Sequence, residues 1–265
     1  MKKYNLVLGI AHNFSSLEDK FVKSFKSFEL KGTNFNLPSS KDFIYHSNYA
    51  VTLDNIAEKL NFEKANYKKF PKLRRFSFDI GPCYNIVRTE KMKYFPVKKS
   101  NFLTKEKIFR LITKQIKNLN IFFDNKCELA VENLPYYNTP AYKGVCFPEF
   151  YNEVSKKFLL NQVLDLAHLE ITALNNNLHV EELLERVDHK YVTEIQICKI
   201  KFDKKKKFPA IDAHLSPNQH DFDILLKALK MNPNKKIDIV IEQWKNTASL
   251  QNSYYKLQDF LSKNI

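Results

Sequence analysis

The chain has 265 residues, 44% of them hydrophobic, and a formal net charge of +14. That size and composition suit one large α/β domain with a real core, and no run of 18 apolar residues exists to form a membrane-spanning helix. The lysines are spread along the chain, with only Lys204–Lys207 forming a tight run. The charge therefore reads as solvated surface and compositional bias, and nucleic acid is the weaker of the partner expectations.

In chain order, Met1-Lys2-Lys3-Tyr4 is followed by only a short apolar run, too short for a signal-peptide core, which predicts a first strand at Tyr4–Ile10. Further β-type runs are predicted at Ser27–Lys31, Asp42–His46, Arg75–Ile80, Glu128–Glu132, Gln162–Asp165, Val192–Ile197 and Ile237–Glu242. Helical spacing marks Lys105–Leu119, with Thr104 as its N-cap, then Glu149–Leu160, Val180–Val187, Asp221–Leu229 and Leu250–Leu261. Little between the second and third runs looks helical. Alternating strands and helices imply parallel pairing, and eight units predict a closed (β/α)₈ barrel as a single domain over residues 1–265. An open doubly wound sheet is the alternative. The chain's four glycines, Gly9, Gly32, Gly81 and Gly144, are too scattered for a Rossmann fingerprint or a P-loop. The four cysteines (Cys83, Cys127, Cys146, Cys198) form no CxxC pair, so reduced thiols and a cytoplasmic location are expected.

Metal-capable side chains close the predicted strands: His46 the third, Asp79 the fourth, Glu132 the fifth, Asp165 with nearby His168 the sixth, and Glu242 the eighth. Asp212 and His214 follow the seventh. Barrel active sites lie at the C-terminal ends of strands, where carboxylates and neutral imidazoles can converge on one cation. Each residue alone also reads as a helix cap or loop charge, but caps do not explain the joint pattern. Mixed oxygen and nitrogen donors suit iron, zinc or manganese. His12 is a candidate for the same mouth, whereas His179, His189 and His220 read as surface or capping residues. Cys127 and Cys198 read as small buried apolar groups, Cys83 and Cys146 as loop residues near the site, and Trp244 as packing beside Glu242.

Around these residues the chain resembles the multinuclear non-heme iron-dependent oxidative enzymes, the family of the methanobactin-biosynthesis oxidase. Val131-Glu132-Asn133-Leu134-Pro135-Tyr136-Tyr137 is similar to that family's ExNxxxY strand end. Pro148-Glu149-Phe150 with Val154 is similar to its helix start, and Leu164-Asp165-Leu166-Ala167-His168 with Ala173 and Asn175 to its LDxNN…AxN segment. Ile211-Asp212-Ala213-His214 resembles its IDxH, and Val240-Ile241-Glu242 its closing strand. Asn34-Phe35 and Ile44-Tyr45-His46 match more faintly. The resemblance departs where the family has histidines: Asp79 ends the fourth strand, Glu194-Ile195-Gln196 stands in the seventh, and the Asn of the sixth-strand motif is replaced around His168.

The resemblance implies an iron-dependent oxidase, with two or more ions, acting on a peptide or protein substrate, often at cysteine. A small partner protein would present the peptide. Asp-x-x-His after a Glu strand is also similar to endonuclease IV and the xylose-isomerase-like sugar isomerases. Those keep open a zinc phosphodiesterase and an isomerase in which Glu132 and Glu242 shuttle protons. A barrel that has lost catalysis is the fourth reading. In the favoured one Glu132, Asp165 and Glu242 are catalytic carboxylates as well as ligands.

Overall fold

A computed structural model of the chain describes residues 3–10, 17–31, 42–54, 56, 58–59, 73–91, 93–234, 236–243 and 247–265. The strands, numbered along the chain, are β1 (Lys3–Ile10), β2 (Ser27–Lys31), β3 (Asp42–Ala50), β4 (Leu73–Asp79), the hairpin β5 (Val87–Glu90) and β6 (Lys93–Pro96), β7 (Glu128–Glu132), β8 (Asn161–Asp165), β9 (Val192–Ile197), the hairpin β10 (Lys199–Phe202) and β11 (Ala210–Leu215), and β12 (Lys236–Ile241). Eight of them close a barrel in the order β1-β12-β9-β8-β7-β4-β3-β2. Their pairings are all parallel.

These are the eight strands expected from the sequence, with the third running on to Ala50 and the fourth spanning Leu73–Asp79. The expected helices are present as α2 (Lys105–Phe122), α3 (Pro148–Phe158), α5 (Val180–Glu185), α6 (Gln219–Met231) and α7 (Thr247–Asn264); α1 (Asp19–Ser24) and α4 (Leu166–Asn175) were not expected. Thr104 caps α2 as its sequence suggested, its hydroxyl accepting from Lys107 N. Helix α4 escapes a search for periodicity because it is buried nearly all round, so it lacks a polar stripe. The two hairpins are short, mixed in polarity and outside the barrel, so nothing in their pattern separates them from loop. No described helix is long and apolar enough to cross a membrane.

The main hydrophobic core lies between the outer face of the barrel and its helices, and includes Leu8, Phe28, Phe43, Phe76, Ile112 and Leu225. The lumen is different. Alternate residues of each strand face inward, and here many of them are polar. Arg75 on β4 reaches across to Glu194 on β9 at 3.1 Å and Asp238 on β12 at 3.0 Å. Gln196 on β9 donates to Glu29 on β2 at 2.6 Å. A small apolar plug of Val7, Ile44 and Val240 is the lumen's own hydrocarbon cluster. A barrel lumen is ordinarily filled by branched aliphatic side chains. This one is filled by hydrogen-bonded and ion-paired groups, which must be matched because an unpaired buried charge is costly.

The barrel is closed at the β1–β12 seam by Tyr254 of α7. Its hydroxyl donates to Val7 O and accepts from Gly9 N at 3.1 Å and Ile241 N at 3.2 Å. One fully buried oxygen thus ties the last helix to both strands of the seam. Tyr254→Phe is expected to destabilise the protein by about 1–3 kcal/mol, read as a lower urea midpoint, because it strips buried backbone groups of a partner without leaving a cavity.

Candidate metal centre

At the C-terminal ends of the barrel strands lies a cavity of about 260 Å³. His46, Asp79, Glu132, His168, Asp212, His214 and Glu242 line it, together with Lys31, Tyr94, Tyr137 and Tyr142. Asp165, the eighth expected residue, groups with Glu132 and His168 at its edge. His12, Asn34-Phe35 and Trp244 fall outside the described residues.

Backbone placement explains the convergence. Asp79 closes β4 directly opposite Glu132, which closes β7. Asp165 closes β8 and caps α4, its Oδ1 accepting from His168 N at 2.8 Å, so the strand end and the first turn of the helix deliver Asp165 and His168 together. Asn133 fixes the same corner: its side chain donates to Asp165 O at 2.9 Å and accepts from Asp165 N at 2.8 Å. The hairpin β10–β11 folds Asp212 and His214 back over the end of β9. Glu242 N donates to Ile197 O at 3.0 Å, which extends the β12–β9 alignment by one residue.

Glu132 is the hub. Its Oε2 lies 2.9 Å from His46 Nε2 and its Oε1 lies 3.1 Å from His168 Nδ1. His46 Nδ1 is 3.0 Å from Ser77 Oγ, which orients the ring. His168 Nε2 is 3.5 Å from Asp212 Oδ2, and His214 Nε2 is 2.7 Å from the same oxygen. His214 Nδ1 is 3.5 Å from Glu242 Oε2, while Glu242 Oε1 is hydrogen-bonded to Lys31 Nζ. His214 holds φ at 46°, a left-handed conformation that a non-glycine residue rarely adopts.

The charges are strongly coupled. Burial works against ionised Glu132, but His46 and His168 hold it well below the usual carboxylate range. Burial also opposes Asp212, which hydrogen bonds from His168 and His214 hold far down. Burial, with Glu132 beside it, pushes Asp79 up to about 6. Burial pushes Asp165 up to about 7, with Glu242, Glu132 and Asp212 adding to it and His168 opposing. The three imidazoles are raised because neighbouring carboxylates outweigh their burial.

The donors fit a metal. Among the described residues, buried Asp79 Oδ1 and Asp165 Oδ2 have no hydrogen-bond partner. Carboxylates outnumber the cavity's one lysine, and a cation would satisfy both the orphaned oxygens and the excess negative charge. Donor atoms within 4.8 Å of one another form three groups: His46, Asp79 and Glu132; Glu132, Asp165 and His168; and Cys198, Asp212 and His214. Asp79, standing where the resemblance led to a histidine, therefore sits in a donor group. Gln196 does not; it lies deeper, hydrogen-bonded to Glu29 and to Glu194.

Several residues here were not anticipated. Lys31 ends its strand just as the ligand candidates end theirs, but a search for metal-capable side chains passes over lysine. Tyr94 and Thr89 arrive on the hairpin β5–β6, pinned by Tyr94 N donating to Tyr142 OH at 2.9 Å. Cys198 is buried in the main hydrophobic core as expected, and its sulfur in addition lies 3.7 Å from Asp212 Oδ1 and 3.9 Å from His214 Nδ1. Cys83 and Cys146 bond backbone carbonyls and do not line the cavity; Cys127 is half-buried, and all four thiols are free. His189 is not at the surface: it is buried, with Nε2 2.9 Å from Leu184 O, because the turn between α5 and β9 folds inward. His179 precedes α5, its backbone N–H on Glu182, and exposed His220 meets Glu170 at 2.9 Å.

Asn133→Ala is expected to lower stability by about 1–3 kcal/mol, since it unpairs both backbone groups of Asp165 in a buried corner. Urea unfolding monitored by circular dichroism measures it.

Known proteins were compared with this geometry. Solved structures share the fold: a xylose isomerase domain containing protein from Salmonella typhimurium (12% identity, 92% of this chain and 90% of that one, TM-score 0.58); 3-keto-D-glucoside 4-epimerase from E. coli (11%, 97% and 100%, 0.60); and an AP endonuclease, family 2, from Brucella melitensis (9%, 97% and 98%, 0.58). At such identities the likeness shows a xylose-isomerase-like TIM barrel and nothing finer. No curated protein matches the chain. Residues 98–260, which carry Glu132, Asp165, His168, Asp212, His214 and Glu242, match the family described as RiPP precursor modification enzyme MbnB/TglH/ChrH. The chain belongs to that family of peptide-precursor modification enzymes.

Proposed function

We propose that this protein is an iron-dependent oxidoreductase that modifies a ribosomally made precursor peptide, with cysteine as the residue altered. The observation that carries the reading is the carboxylate–imidazole cluster around Glu132, which bridges two donor groups at the closed end of a cavity. Family membership supports the peptide substrate. Oxygen and nitrogen donors with one thiol nearby support iron over magnesium or calcium.

His46, Asp79, Glu132, Asp165, His168, Asp212, His214 and Glu242 would hold the metal. Bound iron would supply one-electron and dioxygen chemistry that no side chain offers. The chain's own residues shape where that chemistry happens. Ser77 and Asn133 fix His46, His168 and Asp165 in place. Tyr137 OH accepts from Asp212 N at 3.2 Å and so fixes the β11 end of the site. Tyr94, Tyr137 and Tyr142 line the cavity and give it an aromatic wall. Lys31 neutralises one oxygen of Glu242 and leaves the other facing His214. Glu132, Asp165 and Glu242 are the carboxylates placed to hold the metal and to accept a proton from the substrate.

Protein purified without oxygen should contain iron by elemental analysis, and co-expression with its precursor peptide should change the peptide's mass. Glu132→Ala should lose most bound iron and cut turnover by more than the ~10–100-fold that removing an outer partner of a metal ligand costs. Zinc in place of iron, together with cleavage of abasic duplex DNA, would overturn the proposal.

A further inference from the structure

The resemblance in the seventh barrel strand leads to a histidine that this chain lacks. Gln196 stands there, turned toward Glu29 and Glu194. Two residues on, just past the end of β9, comes Cys198. We propose that Cys198 is a metal ligand, supplying a thiolate beside His214, Asp212 and Glu242 at the corner where the seventh and eighth barrel strands end. This rests on the metal-dependent reading above and adds a soft donor to it.

Three observations converge. The first is placement. Glu242 N on Ile197 O sets Glu242 alongside Cys198. The hairpin opening at Lys199, paired with Leu215, returns Asp212 and His214 over the same point.

The second is spacing. Cys198 Sγ lies 3.7 Å from Asp212 Oδ1 and 3.9 Å from His214 Nδ1, and His214 Nδ1 lies 3.5 Å from Glu242 Oε2. Two donors bound at ~2.0–2.3 Å to one tetrahedral cation sit about 3.5 Å apart. The three contacts are near that separation, and two of them are too long for strong hydrogen bonds.

The third is surroundings. Cys198 is 2% exposed, and although it packs within the hydrophobic core, its sulfur has an imidazole nitrogen and a carboxylate oxygen within 4 Å.

Coordination by a cation deprotonates a thiol outright, so the S–H proton leaves to solvent as the ion binds. A thiolate in the shell would favour iron, cobalt or zinc over manganese and magnesium.

The test loads metal-free protein with cobalt(II) under anaerobic conditions and with zinc for X-ray absorption. Expected are a near-ultraviolet thiolate-to-cobalt charge-transfer band and a zinc–sulfur shell at about 2.3 Å. Both should be lost in Cys198→Ser and kept in Cys127→Ser. The shell is read on the unaltered protein, so it stands even if Cys198→Ser folds poorly. Cobalt and zinc bound by oxygen and nitrogen alone would overturn the Cys198 assignment and leave the metal-dependent reading intact. A sulfur shell that survives in folded Cys198→Ser would also overturn it. Failure to bind either ion would overturn both.

Discussion

The constraint behind this structure is the enclosure of charge inside a closed barrel. Every inward charge in such a lumen has lost its water, so each needs a partner held within a few ångströms. At the N-terminal end the need is met internally. Arg75, 4% exposed, answers Glu194 and Asp238, and Arg74 adds a second contact to Asp238 at 2.8 Å. At the other end it is not met. Asp79, Glu132, Asp212 and Glu242 line one cavity with a single lysine and three imidazoles, and Asp165 groups with Glu132 and His168 beside it. Arginines answer the carboxylates at one end, whereas at the other the carboxylates face one lysine and three imidazoles.

That imbalance gives the cavity its chemistry. Carboxylates pushed up by burial sit beside others held down by histidines, an arrangement that persists only because the scaffold is rigid. The rigidity has named sources. Tyr254 locks the β1–β12 seam beneath Glu242, and Asn133 clamps the β7 and β8 ends beneath Glu132 and Asp165. Backbone positions held this way keep the candidate donors clustered at one place.

Strand-end positions of this barrel carry candidate donors of different chemical type. Asp79 occupies the strand-end position next to Glu132 and groups with His46 and Glu132, where the resemblance led to an imidazole. Gln196 is absorbed into the polar packing below, and Cys198, just past the end of the strand, lies beside Asp212. Strand-end geometry sets where a ligand can be and leaves open which side chain provides it.

The local pattern of the chain was enough to determine the alternation of strands and helices, and through it the closed parallel barrel. Hydrophobic periodicity is a short-range property, and eight strand–helix units leave few ways to bury their faces. It also marked eight ligand candidates, because a polar side chain closing an apolar run is visible in one dimension. Tertiary structure alone decided the rest. Helix α4 carries no polar stripe to mark it, and the hairpins that bring Tyr94, Asp212 and His214 over the cavity have no distinctive pattern. Lys31 on Glu242 and Arg75 spanning the lumen to Glu194 are contacts between strands far apart in sequence. Such partners are chosen by the register of a closed sheet, which no single segment of the chain contains.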